Sequence, residues 1–176
     1  GDLGAAYMGL QLLEREKRIF KENPKIQPDL AGHDYILERQ LKPEARRDII
    51  EQLSKSGIKP TAMIDISDGL SSELLHLCTD SDKGCSIYED KLPIDTATYT
   101  MAEELNINPT VCALNGGEDY ELLFTVSVSD YEKIKKEKGV SIIGHITEKS
   151  EGTNFITASG SSVAITAQGW NAFSDQ

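Results

Sequence analysis

The sequence predicts an α+β fold in which helices pack on a mixed β-sheet. Three observations lead there. Apolar residues recur at helical spacing in some segments and alternate at strand spacing in others. The two kinds are mixed along the chain without strict strand–helix–strand alternation. The chain has 176 residues, the length of one domain, and 39% of them are hydrophobic, enough for a sizeable core.

The elements follow in order. Gly1-Asp2-Leu3-Gly4 reads as a loop entering a helix, with Asp2 near its N-cap. The helix is expected over residues 3–20, with Leu3, Ala6, Tyr7, Met8, Leu10 and Leu13 as its apolar stripe and Glu14–Arg18 as a solvated end. Residues 21–38 carry Pro24, Pro28 and Gly32 and read as a loop, with a short helical turn near Asp34–Leu37. Pro43 suits a first helical turn, and Ile49, Ile50 and Leu53 mark a second helix ending before Gly57.

Thr61–Ile66 reads as a strand and Leu70–Thr79 as a helix. Cys85, Ile87 and Glu89 alternate as a strand that Pro93 ends, and residues 96–105 are helical. Asn115-Gly116-Gly117 is a turn. Tyr120–Val126 is the strongest strand, with Tyr120, Leu122, Phe124 and Val126 on one face and Tyr120 placed in the core. A helix over Asp130–Lys138 and a strand over Val140–Ile146 follow. Phe155–Thr157 and Val163–Thr166 form a hairpin, and the tail carries the only tryptophan, Trp170.

Composition narrows the chemistry. A net charge of −11 argues against a nucleic-acid surface, which needs a basic footprint, and against an anionic membrane surface. An acidic protein can still handle phosphates where divalent metals mediate the contact. Cys78, Cys85 and Cys112 are odd in number and form no Cys-x-x-Cys, against a disulfide framework or a thiol-rich zinc site. No signal-like start or apolar run of membrane length occurs, and a reducing cytoplasm is the expected compartment. His33, His76 and His145 share no ligand spacing and receive no role.

Two motifs carry chemistry. In Met63-Ile64-Asp65-Ile66-Ser67-Asp68-Gly69-Leu70, Asp65 sits in an apolar strand, where an unpaired buried carboxylate is costly, so a partner is expected. Period-two geometry places Asp65 and Ser67 on one face, with Ile64 and Ile66 toward the core. Asp68 falls at the turn into the next helix, whose free N–H groups add a site for anionic oxygens. Two carboxylates and a hydroxyl at a helix start suit a Mg²⁺–phosphate complex. The plainer reading makes Ser67 or Asp68 a helix cap. In Asn115-Gly116-Gly117-Glu118-Asp119-Tyr120-Glu121, two glycines allow close approach of backbone to a ligand, and three acids lie at the mouth of a strand.

Together these motifs resemble the thiamine-monophosphate kinase family of the aminoimidazole ribonucleotide synthetase superfamily. Gly1–Ala6, Leu41-Lys42-Pro43-Glu44, Leu92-Pro93-Ile94-Asp95 and Gly169-Trp170 fit as well. The resemblance implies transfer of a phosphoryl group from ATP to thiamine monophosphate with Mg²⁺. It implies Asp65 and Asp68 as metal ligands, Ser67 as an ATP contact, and Glu118 and Trp170 as substrate contacts. Asp119 carries over only weakly, and no side chain is expected to act as a catalytic base. It also implies that residues 1–176 are a C-terminal domain. The family's N-terminal domain, with further metal ligands and the homodimer interface, would lie outside them, leaving this chain inactive alone. The alternatives are another ATP-dependent enzyme of the superfamily or a non-catalytic ligand-binding domain.

Overall fold

The computed structural model describes residues 1–166, so the expectation for Trp170 lies outside the described residues. The α+β expectation holds. The strands, however, form two sheets. Strands β1 (Ala62–Ile66) and β3 (Glu121–Thr125) make an antiparallel ribbon, with Ile64 opposite Leu123 and Asp65 opposite Leu122. The second sheet runs β4–β2–β5–β6, built from β2 (Lys83–Tyr88), β4 (Gly144–Glu148), β5 (Thr153–Ile156) and β6 (Ser162–Ala164). It is mixed, because β2 runs parallel to β5 and antiparallel to β4. The expected hairpin is β5–β6, with Phe155 opposite Val163.

Helix α4 (Leu70–Asp80) joins the two sheets. Its Leu70, Leu74 and Leu77 pack with Ile66, Leu123, Ile87 and Phe155. A second core forms where α1 (Ala5–Glu22), α2 (Asp34–Leu41) and α5 (Thr96–Leu105) bury Met8, Leu12, Ile36 and Met101. A third lies between α3 (Arg47–Lys55) and the short α7 (Tyr131–Ile134), where Ile49, Leu53, Ile58 and Ile134 receive Leu122 and Phe124 from the ribbon and Val126 just beyond it. Leu122, Phe124 and Val126 therefore share a covered face as expected, but Tyr120 stands outside the strand and is only half-buried.

Several local readings need correction. Gly4, not Asp2, precedes the first helix, and Asp2 instead accepts the Asp95 amide at 2.9 Å. The buried face of α1 is Ala5, Met8, Leu12 and Glu16, while Leu10 and Leu13 are half-buried. Glu16 is not solvated, because its Oε2 accepts the Asp29 amide at 2.9 Å and ties down the following loop. Helix α2 is longer than a turn because Ile36 anchors it to α1. Helix α6 (Pro109–Asn115) has no counterpart in the sequence reading, although Asn108 caps it through the Val111 amide and Pro109 opens it.

The helix expected over 130–138 tightens after Ile134 into three-residue turns, as its lysine-rich end approaches Gly139. The apolar run 140–146 divides. Val140 and Ile142 pack on the third core, and pairing with β2 begins only at Gly144. Truncating Leu12, fully buried among α1, α2 and α5, is expected to cost about 2–5 kcal/mol of stability. A lower urea midpoint for Leu12→Ala at unchanged slope checks this.

Candidate active site

The β1–β3 ribbon carries the two motifs to one place. Its pairing puts Ile66 opposite Glu121, so the segments that leave the ribbon at that end lie side by side. They are joined there by backbone. The Tyr120 amide donates to the Ile66 carbonyl at 2.8 Å, and the Glu118 amide to the Ser67 carbonyl at 2.7 Å. Two glycines permit the approach. Gly117 has φ +70, and a Cβ there would lie 2.8 Å from the Ser67 carbonyl oxygen. Gly69 has φ +115, and a Cβ there would lie 2.9 Å from the Leu114 carbonyl oxygen. Asp65, Ser67, Asp68 and Glu118 therefore share one surface, although about fifty residues separate the two motifs.

Asp65 is exposed, which corrects the expectation of a buried carboxylate. The alternation is as read, with Ile66 inward, but the ribbon's other face is open around Met63 and Asp65. Asp68 and Glu118 are exposed too. Among the described residues none of these three carboxylates has an ion-pair partner. The Tyr120 hydroxyl donates to Glu118 Oε2 at 3.0 Å. That bond, above all, raises the Tyr120 phenol's pKa, and the charges of Asp65 and Asp68 add to it. Glu118 and Tyr120 hold positive φ values of 63° and 50°, uncommon outside glycine. Such strain is the kind that clusters at functional sites.

Ser67 and Asp68 make no side-chain cap for α4, which is preceded by Gly69. A residue the sequence reading passed over holds them instead. Glu73, 2% exposed in the first turn of α4, uses Oε1 to accept the Ser67 amide at 3.1 Å, the Asp68 amide at 2.9 Å and the Ser67 hydroxyl at 3.3 Å. Its position as a first-turn acid was the available signal. Its other oxygen, Oε2, is buried without a hydrogen-bond partner, as is Asn115 Oδ1.

Beneath the surface the remaining acids are paired. Asp119, buried, accepts the Gly4 amide at 3.0 Å on both carboxylate oxygens. Arg39 donates to the Asp119 carbonyl at 3.0 Å and to Glu121 Oε1 at 3.1 Å. Arg46 pairs with the second Glu121 oxygen. Burial pushes the Asp119 carboxyl up to about 7, against the opposite pull of the Gly4 amide and the Arg39 charge. Asp119 is thus a structural anchor between the loop and the start of α1.

The donor set fits a hard divalent cation. The exposed carboxylates lack counter-charges, and the two orphaned buried acceptors add to a surplus of oxygen ligands over donors. It is an incomplete set, because among the described residues no three or more His, Cys, Asp or Glu side chains group closely enough to hold a metal by themselves. Mg²⁺ commonly takes one or two carboxylates and completes its shell with water and phosphate. A hollow of about 380 Å³ lies under the ribbon instead and has a mainly apolar lining that includes Leu74, Ile87, Phe124 and Ile143.

A thiamine-monophosphate kinase of Buchnera aphidicola (subsp. Schizaphis graminum) is 38% identical over 164 residues, covering 89% of this chain and 46% of the relative. That of Bacillus subtilis is 32% identical over 178 residues, covering 98% of this chain and 51% of the relative. This chain is a homologue of the thiamine-monophosphate kinases. It spans about half the length of the curated relatives it matches. The solved thiamine monophosphate kinase of Aquifex aeolicus is similar at TM-score 0.69 and 31% identity, over 93% of this chain and 49% of that one. AaThiL complexed with AMPPCP and TMP is similar at TM-score 0.73 and 30% identity, over 98% of this chain and 49% of that one. The hydrogenase maturation protein HypE of E. coli, at 17% identity and TM-score 0.65, shares the fold. No family model matches.

The Asp119 anchor has a pH signature. Its folded pKa, about 7, lies above the ordinary 3.8, so the folded state holds its proton more tightly than the unfolded chain does. Its contribution is fully present below the unfolded value and is lost as pH rises through about 7. Asp119→Asn is expected to flatten the fall in stability between about pH 4 and 7. Urea unfolding across that range measures the slope.

Proposed function

We propose that the complete protein transfers the γ-phosphoryl group of ATP to thiamine monophosphate, forming thiamine diphosphate and ADP, and that this chain supplies one half of the site. The observation that carries the reading is the meeting of Asp65, Ser67 and Asp68 with Glu118 on one exposed, uncompensated acidic surface. The identity to kinases of that name supports the substrate, as does a similar solved structure complexed with AMPPCP and TMP.

Asp65 and Asp68 would hold Mg²⁺, with Ser67 beside them toward the nucleotide. When bound, the ion supplies positive charge that offsets the repulsion between two phosphate-bearing reactants. No side chain need act as a base. The nucleophile is a phosphate oxygen of the acceptor, and a phosphate monoester with a second pKa of about 6 is mostly ionised at neutral pH. The protein's work is to hold two anions in line, which is positioning. Glu118 is suited to pair with the cationic ring of thiamine, since the Tyr120 hydroxyl fixes its carboxylate in the open. Trp170 would cover an aromatic ring of the substrate.

In this reading residues 1–176 act as a C-terminal domain, and a further domain brings the remaining metal ligands and a homodimer interface. Among the described residues no helix is long and apolar enough to cross a membrane, and we place the reaction in the cytoplasm. A nucleic-acid partner is not part of the reading.

The test is a coupled assay of the complete protein with ATP, Mg²⁺ and thiamine monophosphate. Asp65→Asn and Asp68→Asn are each expected to lower kcat/KM by about 10²-fold or more and to move the Mg²⁺ dependence to higher concentration. Glu118→Gln and Trp170→Ala are expected to raise the KM for thiamine monophosphate. Residues 1–176 alone should give no thiamine diphosphate. Turnover by that piece, or variants with wild-type kinetics, would overturn the proposal.

A further inference from the structure

Glu73 does something that the assignment of the two motifs leaves out. It commits three donors at the heart of the first motif to one buried oxygen, namely the Ser67 amide, the Asp68 amide and the Ser67 hydroxyl. Those are the donors that a phosphate would otherwise take at a turn leading into a helix. The residues that follow, Gly69, Leu70 and Ser71, are buried. Toward solvent the turn therefore presents acceptors, the carboxylates of Asp65 and Asp68 and the lone pairs of Ser67 Oγ. A hydroxyl has one proton, and a Ser67 that gives it to Glu73 faces a ligand only as an acceptor.

We infer that Glu73 is a resident anion that fills the donor side of the Ser67–Asp68 turn, so that this turn accepts the nucleotide only through a divalent metal. Resting on the kinase reading, this deepens it by giving Ser67 a side: its proton goes to Glu73, and only its lone pairs face the metal-bound nucleotide. Glu73 is then a positioning residue. It sets the direction of the Ser67 hydroxyl and holds the Asp68 backbone while touching neither reactant. Its unpartnered Oε2 is in keeping with this. A buried carboxylate with one oxygen triply hydrogen-bonded and the other bare adds negative charge just below the metal-seeking carboxylates, where attraction to a cation is little screened. The free helix-start donors expected from the sequence are, at Ser67 and Asp68, already taken.

Two binding measurements on the complete protein test this without turnover. Mn²⁺ alone is titrated and followed by electron paramagnetic resonance, and ATP is titrated calorimetrically in excess chelator. Wild type, Ser67→Ala and Glu73→Gln are compared, with melting curves as the control for folding. Ser67→Ala and Glu73→Gln are each expected to weaken Mn²⁺ by about three- to tenfold, a ligand or a nearby charge being lost. Ser67→Ala should leave metal-free ATP affinity within about twofold, as no donor to phosphate is removed. Glu73→Gln should tighten metal-free ATP by about threefold or more, since a neutral amide satisfies the turn's donors less fully. No detectable ATP binding by wild type in chelator also supports the inference. It is overturned if Ser67→Ala weakens metal-free ATP as much as it weakens Mn²⁺, or if neither variant changes Mn²⁺ affinity. Should Glu73→Gln melt below the assay temperature, Ser67→Ala decides alone. A protein that binds Mn²⁺ as described yet leaves thiamine monophosphate unphosphorylated would end the kinase reading and leave this one standing.

Discussion

Two backbone hydrogen bonds, from the Tyr120 amide to the Ile66 carbonyl and from the Glu118 amide to the Ser67 carbonyl, extend the β1–β3 ladder past its last strand residues and set everything above them. Backbone bonds of this kind fix direction as well as distance. Because Ser67 and Glu118 are joined main chain to main chain, their side chains leave the joint on a common surface. The closeness also decides which residues can stand there. A side chain at Gly117 or Gly69 would press on the opposing carbonyls, so the joint needs glycine on both sides. The positive φ values at Glu118 and Tyr120 follow from the same geometry, because the chain must turn sharply to return to β3 after reaching Ser67.

Around that joint the acids are sorted by what answers them. Asp119 is buried against the Gly4 amide with Arg39 close by, and Glu121 lies between Arg39 and Arg46. Glu73 is buried under the turn and answered by amides and a hydroxyl. These three fasten the loops to the body of the domain. Asp65, Asp68 and Glu118 stand outside without an ion pair among the described residues. Inward acids that are satisfied build the platform, and outward acids that are not leave negative charge open to solvent. The raised pKa of Asp119 is the cost of this arrangement, since a carboxyl placed so deep is less readily ionised even with amides facing it.

Much of this was legible in the chain. The period-two run around Asp65 and the apolar run from Leu122 to Val126 identify the two strands, because each has one face that meets a core. Gly117 is readable as a position of close approach, whereas the tight fit of Gly69 against Leu114 appears only in the fold. Other features were not legible for definite reasons. Alternation tells which side of a strand Asp65 takes but not whether that side is covered, and here it is open. Helix α6 has an ordinary Asn-Pro start but is only seven residues long, too short for periodicity to declare it. Glu73 looks like any first-turn acid, because its bonds to Ser67 and Asp68 depend on the turn between them folding back over the helix.

The sequence by itself determined the fold class, most of the elements and the residue types of an acidic, oxygen-rich motif. Local patterns record which residues favour strand, helix or turn and which side chains can ligate a cation, and they need no partner distant in the chain. Only the tertiary structure decided that Glu118 lies beside Ser67, that Asp119 and Glu121 are fastened inward while Asp65 and Asp68 face outward, and that Glu73 occupies the donors of the turn. Each of those outcomes depends on antiparallel pairing between segments more than fifty residues apart, and on which faces the helices then cover. The roles of neighbouring acids in one short motif were therefore set by burial and by partners supplied from elsewhere in the chain.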